Sequence, residues 1–101
     1  MKKALAVVAL GLTVVAGPAF AQMELAKQKN CLACHAVDKK LVGPAYKEVA
    51  AKYKNDKNAV AMLAKKIREG GVGAWGQVPM PANPQVNEQE ATSLAKWVLS
   101  Q

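Results

Sequence analysis

The chain is poor in the residues from which most sites and large cores are built. Among 101 residues there are one His, two Cys, one Phe, two Trp and two Tyr. A structural zinc site takes four ligands, and two Cys with one His leave it short within a single chain. No stretch alternates apolar and polar residues as a half-buried strand would, and no internal repeat is present. The basic residues are not interleaved with aromatics and no reader motif appears, so nucleic acid is not an expected partner. What remains is an all-α reading for one small domain.

The first stretch lies outside that domain. Lys2 and Lys3 make a basic start, Ala4 to Ala16 is almost wholly apolar, Gly17-Pro18 breaks the run, and Ala19-Phe20-Ala21 follows. Small residues at those two positions are what a signal peptidase inspects, so residues 1–21 read as a secretory signal peptide, cleaved between Ala21 and Gln22. The competing reading is a membrane anchor, since no charge lies between Lys3 and Glu24 and about 20 apolar residues can span a bilayer. The Gly-Pro break and the Ala-x-Ala site favour cleavage over stable membrane insertion. No Cys follows the site, which argues against a lipid-anchored start. The expected location is the periplasm, with residues 22–101 as the single mature domain.

The mature part carries twelve Lys and Arg (fourteen less Lys2 and Lys3) against all seven Asp and Glu, a net +5. That balance suits an acidic protein partner. Its core is limited: eighty residues bury little apolar surface, and this stretch holds no Phe. Small domains of this kind need a staple. A large flat apolar cofactor would provide one.

Cys31-Leu32-Ala33-Cys34-His35 supplies the means of holding it. Cys-x-x-Cys-His is the spacing of a covalent c-type haem attachment. Two intervening residues put both sulfurs on one side of a helical turn, where each thiol can add across one haem vinyl group. The next residue, His35, reaches the iron as the proximal ligand. A thioredoxin-like dithiol would want a βαβ context, which is lacking. A disulfide between Cys31 and Cys34 would close a tight, strained ring. Haem attachment accounts for residue types and spacing together, and thioether bonds protect both thiols in an oxidising compartment.

Helices are expected on either side of the motif. Met23 to Asn30 reads as a short helix with Leu25 and Ala26 inward and Lys27 and Lys29 outward. Asp38 to Gly43 is turn-rich, and Gly43-Pro44 opens a second helix over Ala45 to about Lys54, with Tyr46, Val49 and Tyr53 on one face. Asp56 or Asn58 caps a third, Ala59 to Glu69, with Val60, Leu63, Ala64 and Ile67 in one stripe, ended by Gly70-Gly71. A fourth begins at Asn87, with Glu90 completing a capping-box pair. It runs to about Ser100 with Ala91, Leu94, Ala95 and Val98 on one face, flanked by Trp97.

Between Gly70 and Val86 there is no charge in seventeen residues, with four Gly and three Pro. A loop of that length is usually functional or disordered, and disorder would be richer in charge. Val72, Trp75, Val78 and Met80 make it read as packed. Met80 stands between Pro79, which fixes its own φ, and Pro81, which pushes Met80 towards an extended backbone. A stiff backbone of this kind suits a thioether as the distal iron ligand. Met62, on a helix, is better placed for packing, and Met23 lies near the new terminus.

The chain resembles the small bacterial class I monohaem cytochromes c of the c-551/c-552 type. The resemblance rests on Cys31–His35, Val42-Gly43-Pro44-Ala45-Tyr46, Trp75-Gly76, Val78-Pro79-Met80-Pro81, Asn83 and Ala95-Lys96-Trp97-Val98-Leu99-Ser100, and covers essentially residues 22–101. It implies about four short helices wrapped around one covalent haem c, in a diffusible, monomeric periplasmic electron carrier. It implies His35 and Met80 as the axial pair and the Pro44 carbonyl as acceptor for the proximal imidazole N–H. It places Trp75 and Lys66 at a propionate and Asn83 near the Met80 sulfur. Two departures stand out: the family often has Arg where Lys66 stands, and the 82–85 connection is one residue longer than usual. The implied donor is a quinol-oxidising complex, and the implied acceptor a nitrite reductase, terminal oxidase or peroxidase.

The expected activity is one-electron outer-sphere transfer with both axial ligands staying bound, not enzymatic turnover. An apolar contact zone around Met80, edged by Lys27, Lys29, Lys39 and Lys40, would meet the partner. The rivals are a haem enzyme or gas sensor, which needs an open iron position, and a fixed electron-transfer subunit of a larger complex.

Overall fold

The computed structural model describes residues 18–101. Four α-helices make up most of it: α1 (Pro18–Gln28), α2 (Tyr46–Lys52), α3 (Ala59–Glu69) and α4 (Glu88–Leu99). A single 3-10 turn, Cys31–Ala33, follows α1. One feature departs from the all-α expectation: the uncharged loop contains a two-stranded antiparallel ribbon, β1 (Gly71–Gly73) and β2 (Gly76–Met80). Both faces of this ribbon are exposed through most of its length, so no core imposes an apolar-polar alternation on it. Pro79 is tolerated because a two-stranded ribbon has only edge strands.

α4 is the organising element, packing against α1, α2 and α3. Its apolar face is buried throughout: Ala91, Leu94, Ala95, Trp97 and Val98. Its start is fixed as expected. The Asn87 side chain accepts from the Glu90 amide at 2.8 Å, and the Glu90 carboxylate accepts from the Asn87 amide at 3.1 Å. Two of the helix's first-turn requirements are thus met by one reciprocal pair.

Ala26 of α1, Tyr46 and Val49 of α2, Ala64 of α3 and Val86 complete the core cluster. Several of these are small, which allows close approach of the helices but buries little area per residue. α1 extends further back than Met23, to Pro18. Ala19, Phe20 and Ala21 are nevertheless exposed, Phe20 by 59%, whereas Ala26 is fully buried. The proposed cleavage point between Ala21 and Gln22 therefore lies between an exposed turn and the part of α1 that reaches the core. The rest of the proposed signal peptide, residues 1–17, lies outside the described residues. Among the described residues no helix is long and apolar enough to cross a membrane.

α2 is shorter than the expected 45–54. Ala45 is its cap residue, so Pro44 stands just outside the helix, with its carbonyl free for another partner. α3 spans Ala59–Glu69 as expected. Asp56, not Asn58, supplies the local side-chain bond, accepting from the Asn58 amide at 2.8 Å.

Candidate functional site

The attachment motif is held in a helical turn. The Cys31 carbonyl accepts from the Cys34 amide at 3.2 Å and the His35 amide at 3.0 Å. Asn30 enters the turn with φ 65°, a left-handed conformation that Asn adopts more readily than most side chains. The chain then folds back on itself. Gly43 N donates to Cys34 O at 2.7 Å, Tyr46 N to Ala36 O at 2.9 Å and Lys47 N to Val37 O at 3.0 Å. Those bonds bring Gly43 and Pro44 beside His35.

His35 Nδ1 lies 2.8 Å from the Pro44 carbonyl oxygen. A carbonyl only accepts, so Nδ1 is the donor, and in the neutral imidazole the lone pair is then on Nε2. The Tyr46 ring stacks on the imidazole with centroids 5.0 Å apart and planes 20° from parallel. Trp97 meets Tyr46 edge-on at 5.2 Å. Gly43 approaches the imidazole so closely that a Cβ there would fall 2.5 Å from His35 Cε1. The ring is thus oriented by a hydrogen bond, a stacked neighbour and a backbone wall.

Cys31 and Cys34 are half-buried and form no disulfide with each other. Burial pushes the Cys31 thiol up, partly offset by hydrogen bonds that include the Tyr46 hydroxyl. Burial also pushes the Tyr46 phenol well above its usual range, with the adjacent Cys31 sulfur adding to the effect. The pair is therefore neutral at ordinary pH.

Cys34, His35, Pro44, Lys66, Trp75 and Met80 all line one cleft. Its walls are largely apolar, including Val49 from α2, Leu63 and Ile67 from α3, and Ala95 and Val98 from α4. Leu63 and Ile67, expected on the inward stripe of α3, are only half-buried because they face this cleft and not the helix-helix seam. Met80 ends β2 and is half-buried. Its backbone packs against Gly70, where φ is 71° and a Cβ would collide with the Met80 carbonyl oxygen. The Lys66 ammonium lies over Gly71, where a Cβ would meet Nζ at 2.5 Å.

Asn83 makes backbone contacts that the sequence does not suggest, among them a bond to Pro81 O at 3.4 Å. Its amide donates to Ile67 O at 2.8 Å, and it lines a second cavity with Arg68 and Val86. The side chain latches the loop to the end of α3. Lys29 also departs from expectation. It is drawn in by the Gln85 carbonyl at 2.9 Å and the Glu90 carboxylate at 3.5 Å, while Lys27 pairs with Glu24 at 3.4 Å. Of the four lysines expected at the rim, Lys40 lines the cleft. Sequence reasoning missed Gly43, Gly70 and Lys52. The two glycines carry a local signal, since each adjoins a residue with a site role or ends a helix. Lys52 meets the Trp75 turn 22 residues away and leaves no local trace.

The donor set suits a haem. The Cys34 thiol, the His35 imidazole and the Met80 thioether line one apolar slot together with cationic Lys66 and Lys40, and Cys31, which packs against the core cluster, stands one helical turn before Cys34. Comparison with known proteins agrees. The cytochrome c family model matches residues 23–101. A cytochrome c-552 of Hydrogenobacter thermophilus is 55% identical over 99% of this chain and 98% of its own length. A cytochrome c-551 of Pseudomonas aeruginosa is 57% identical over 76% of this chain and 73% of its own. The crystal structure of Nitrosomonas europaea cytochrome c552 superposes with a TM-score of 0.76 at 50% identity, covering 77% of this chain and 96% of that one. The fold around Cys31–His35 and the match over nearly the whole described chain lead to one assignment: this chain belongs to the cytochrome c family, as a small class I monohaem electron-transport protein whose cofactor is covalent haem c.

Proposed function

We propose that the chain is a diffusible one-electron carrier of the periplasm, with Cys31 and Cys34 as the thioether sites and His35 and Met80 as the axial ligands. The observation that carries the reading is that His35, its Nδ1 committed to Pro44 at 2.8 Å, opens on the same cleft as Met80. When bound, haem c supplies a ferric/ferrous couple that takes up and returns one electron.

The residues of the chain set the terms of that exchange. Pro44 holds the imidazole in one tautomer and strengthens it as a donor. Pro79 and Pro81 stiffen the backbone on either side of Met80, so the thioether is presented with little freedom to leave. With His35 and Met80 both holding the iron of a bound haem, no position would be left for substrate, which favours transfer over turnover. The apolar walls would pack against the faces of a bound haem, and Lys66 and Trp75, which line the same cleft, would meet a propionate. Exposed Val42, Val72 and Val78 surround the mouth and form a small apolar contact area of the kind used in brief redox encounters. The donors and acceptors that fit are respiratory: a quinol-oxidising complex upstream, and a nitrite reductase, terminal oxidase or peroxidase downstream. The location follows from the signal-peptide reading of residues 1–21, with cleavage after Ala21 as part of the proposal, and Cys-bound haem is suited to an oxidising compartment.

A redox titration followed by visible spectra tests the reading. The oxidised protein is expected to show the long-wavelength sulfur-to-iron charge-transfer band, and the reduced protein to bind no carbon monoxide. Carbon monoxide binding by the native protein would instead assign an open iron and a different chemistry.

A further inference from the structure

The ribbon Gly71–Met80 lies on the outside of the molecule. Every residue from Gly71 to Pro79 is exposed, and the strands pair chiefly with each other, Gly71 with Met80 and Gly73 with Gly76. A lone two-stranded ribbon is marginal in water. Gly71, Gly73 and Gly76 take φ of 154°, 105° and 110°, conformations that glycine enters and leaves cheaply. Such a ribbon needs to be held at both ends.

Its base is held by backbone. Gly70 packs against the Met80–Ala82 segment, and Asn83 N donates to Arg68 O at 3.1 Å. Its tip is held by one side chain. Lys52, the last residue of α2, donates from Nζ to the Ala74 carbonyl at 2.9 Å. The same ammonium lies 4.6 Å from the centre of the Trp75 ring and 5.4 Å from that of Tyr53. Lys52 is exposed, yet its ammonium is held between a carbonyl and two aromatic rings, a more specific arrangement than a lysine that meets only solvent. It ties the rigid, core-packed α2 to the turn of the ribbon.

We propose that Lys52 is a positioning residue for Met80: by pinning the Ala74–Trp75 turn it keeps the ribbon closed over the cleft and the thioether in place. The inference rests on the reading of Met80 as the second axial ligand. With the pin removed, the ribbon swings about the Gly70 and Pro81 ends more often, and the fraction of molecules with Met80 detached rises. An exogenous ligand competes only with that fraction, so its apparent affinity rises in proportion.

The test compares Lys52→Met and Lys52→Arg with the native holoprotein. Oxidised protein is titrated with imidazole while loss of the sulfur-to-iron band is followed, and exchange of the ribbon amides is measured in parallel. Lys52→Met, which keeps the apolar stem, is expected to raise apparent imidazole affinity about three- to tenfold and to speed exchange at Trp75 and Gly76. Lys52→Arg, which keeps a donor and a cation over the ring, is expected to restore both. Faster exchange with unchanged imidazole affinity would overturn the positioning role, as would a Met variant that behaves like the native protein in both measurements. If the native protein lacks the sulfur band, the ligand reading fails and the proposal fails with it; the exchange data then still decide whether Lys52 pins the ribbon.

Discussion

The Pro44 carbonyl oxygen lies 2.8 Å from His35 Nδ1, and this contact settles how the imidazole can act. A residue outside α2, with its carbonyl unused by the helix, fixes the tautomer of a side chain nine positions earlier. The free lone pair is left on Nε2, the only ring atom then able to donate to a metal. Gly43, immediately before Pro44, is part of the same device because its backbone touches the ring.

Gly43→Ala is therefore expected to disturb the site more than its size suggests. The new methyl would fall 2.5 Å from His35 Cε1 and 3.0 Å from Nε2. The ring cannot turn away freely, because Pro44 and Tyr46 hold it. We expect a loss of about 1–3 kcal/mol in holoprotein stability, as for overpacking of a tight contact, together with a shifted visible spectrum. Denaturant unfolding followed by the haem absorbance measures both. Native-like values for the variant would mean that the ring is not constrained by this wall.

The features legible in the sequence were those set by short spacings. Cys31, Cys34 and His35 lie within one helical turn, and Asn87 and Glu90 within another, so their geometry follows from local periodicity. The stripe on α4 was legible for the same reason, and its members are buried. The ribbon was not. Gly71-Val72-Gly73 has no alternation to read, and its strand character comes from pairing with residues near Met80. The Asn83 amide donates to Ile67 O, 16 residues away, a partner that no local pattern announces. Charge alone puts Lys29 outward, yet a carbonyl and a carboxylate from distant segments hold it. Long-range partners of polar side chains leave no periodic signal.

Tyr46 should make stability fall at alkaline pH. The phenol is 6% exposed and its pKa is raised above 10.0, first by burial. A raised folded-state pKa means that the folded protein holds this proton more tightly than the unfolded chain does. The contribution is fully present below about pH 10, the unfolded phenol's pKa, and is lost as pH climbs towards the folded value. Tyr46→Phe cannot titrate. Its stability is expected to fall less than that of the native protein between about pH 9 and 11, with a differential slope of up to about 1.4 kcal/mol per pH unit at the upper end. Denaturant unfolding at several pH values checks this. Parallel curves for the two proteins would assign alkaline instability to other groups.

Asn87→Ala removes one half of the capping pair at the start of α4. The Glu90 amide loses its acceptor, and the Glu90 carboxylate loses the partner that held it in place. A cost of about 1 kcal/mol is expected, which for a domain of this size lowers Tm by about 4–8 °C. Because α4 packs against the other three helices, the loss should appear as one cooperative shift of the whole unfolding curve. An unchanged Tm would show that solvent replaces the cap at no cost.

Electrostatic steering separates the two groups of lysines. Lys27 and Lys29 are engaged with Glu24, Gln85 and Glu90, whereas Lys40 is exposed and lines the cleft. With an acidic redox partner, electron exchange is expected to slow as salt rises, because the screening length shrinks from about 10 Å at 0.1 M to about 3 Å at 1 M. Lys40→Glu is expected to lower the low-salt rate about three- to tenfold. Lys27→Glu, which reverses a charge at an ion pair outside the cleft, should change it much less. Stopped-flow rates across a salt series measure both effects. Equal losses from the two substitutions would show that net charge, and not the cleft rim, guides the encounter. Rates indifferent to salt would remove steering altogether while leaving the haem assignment intact, since that assignment rests on the family match and the Cys31–His35 motif and not on surface charge.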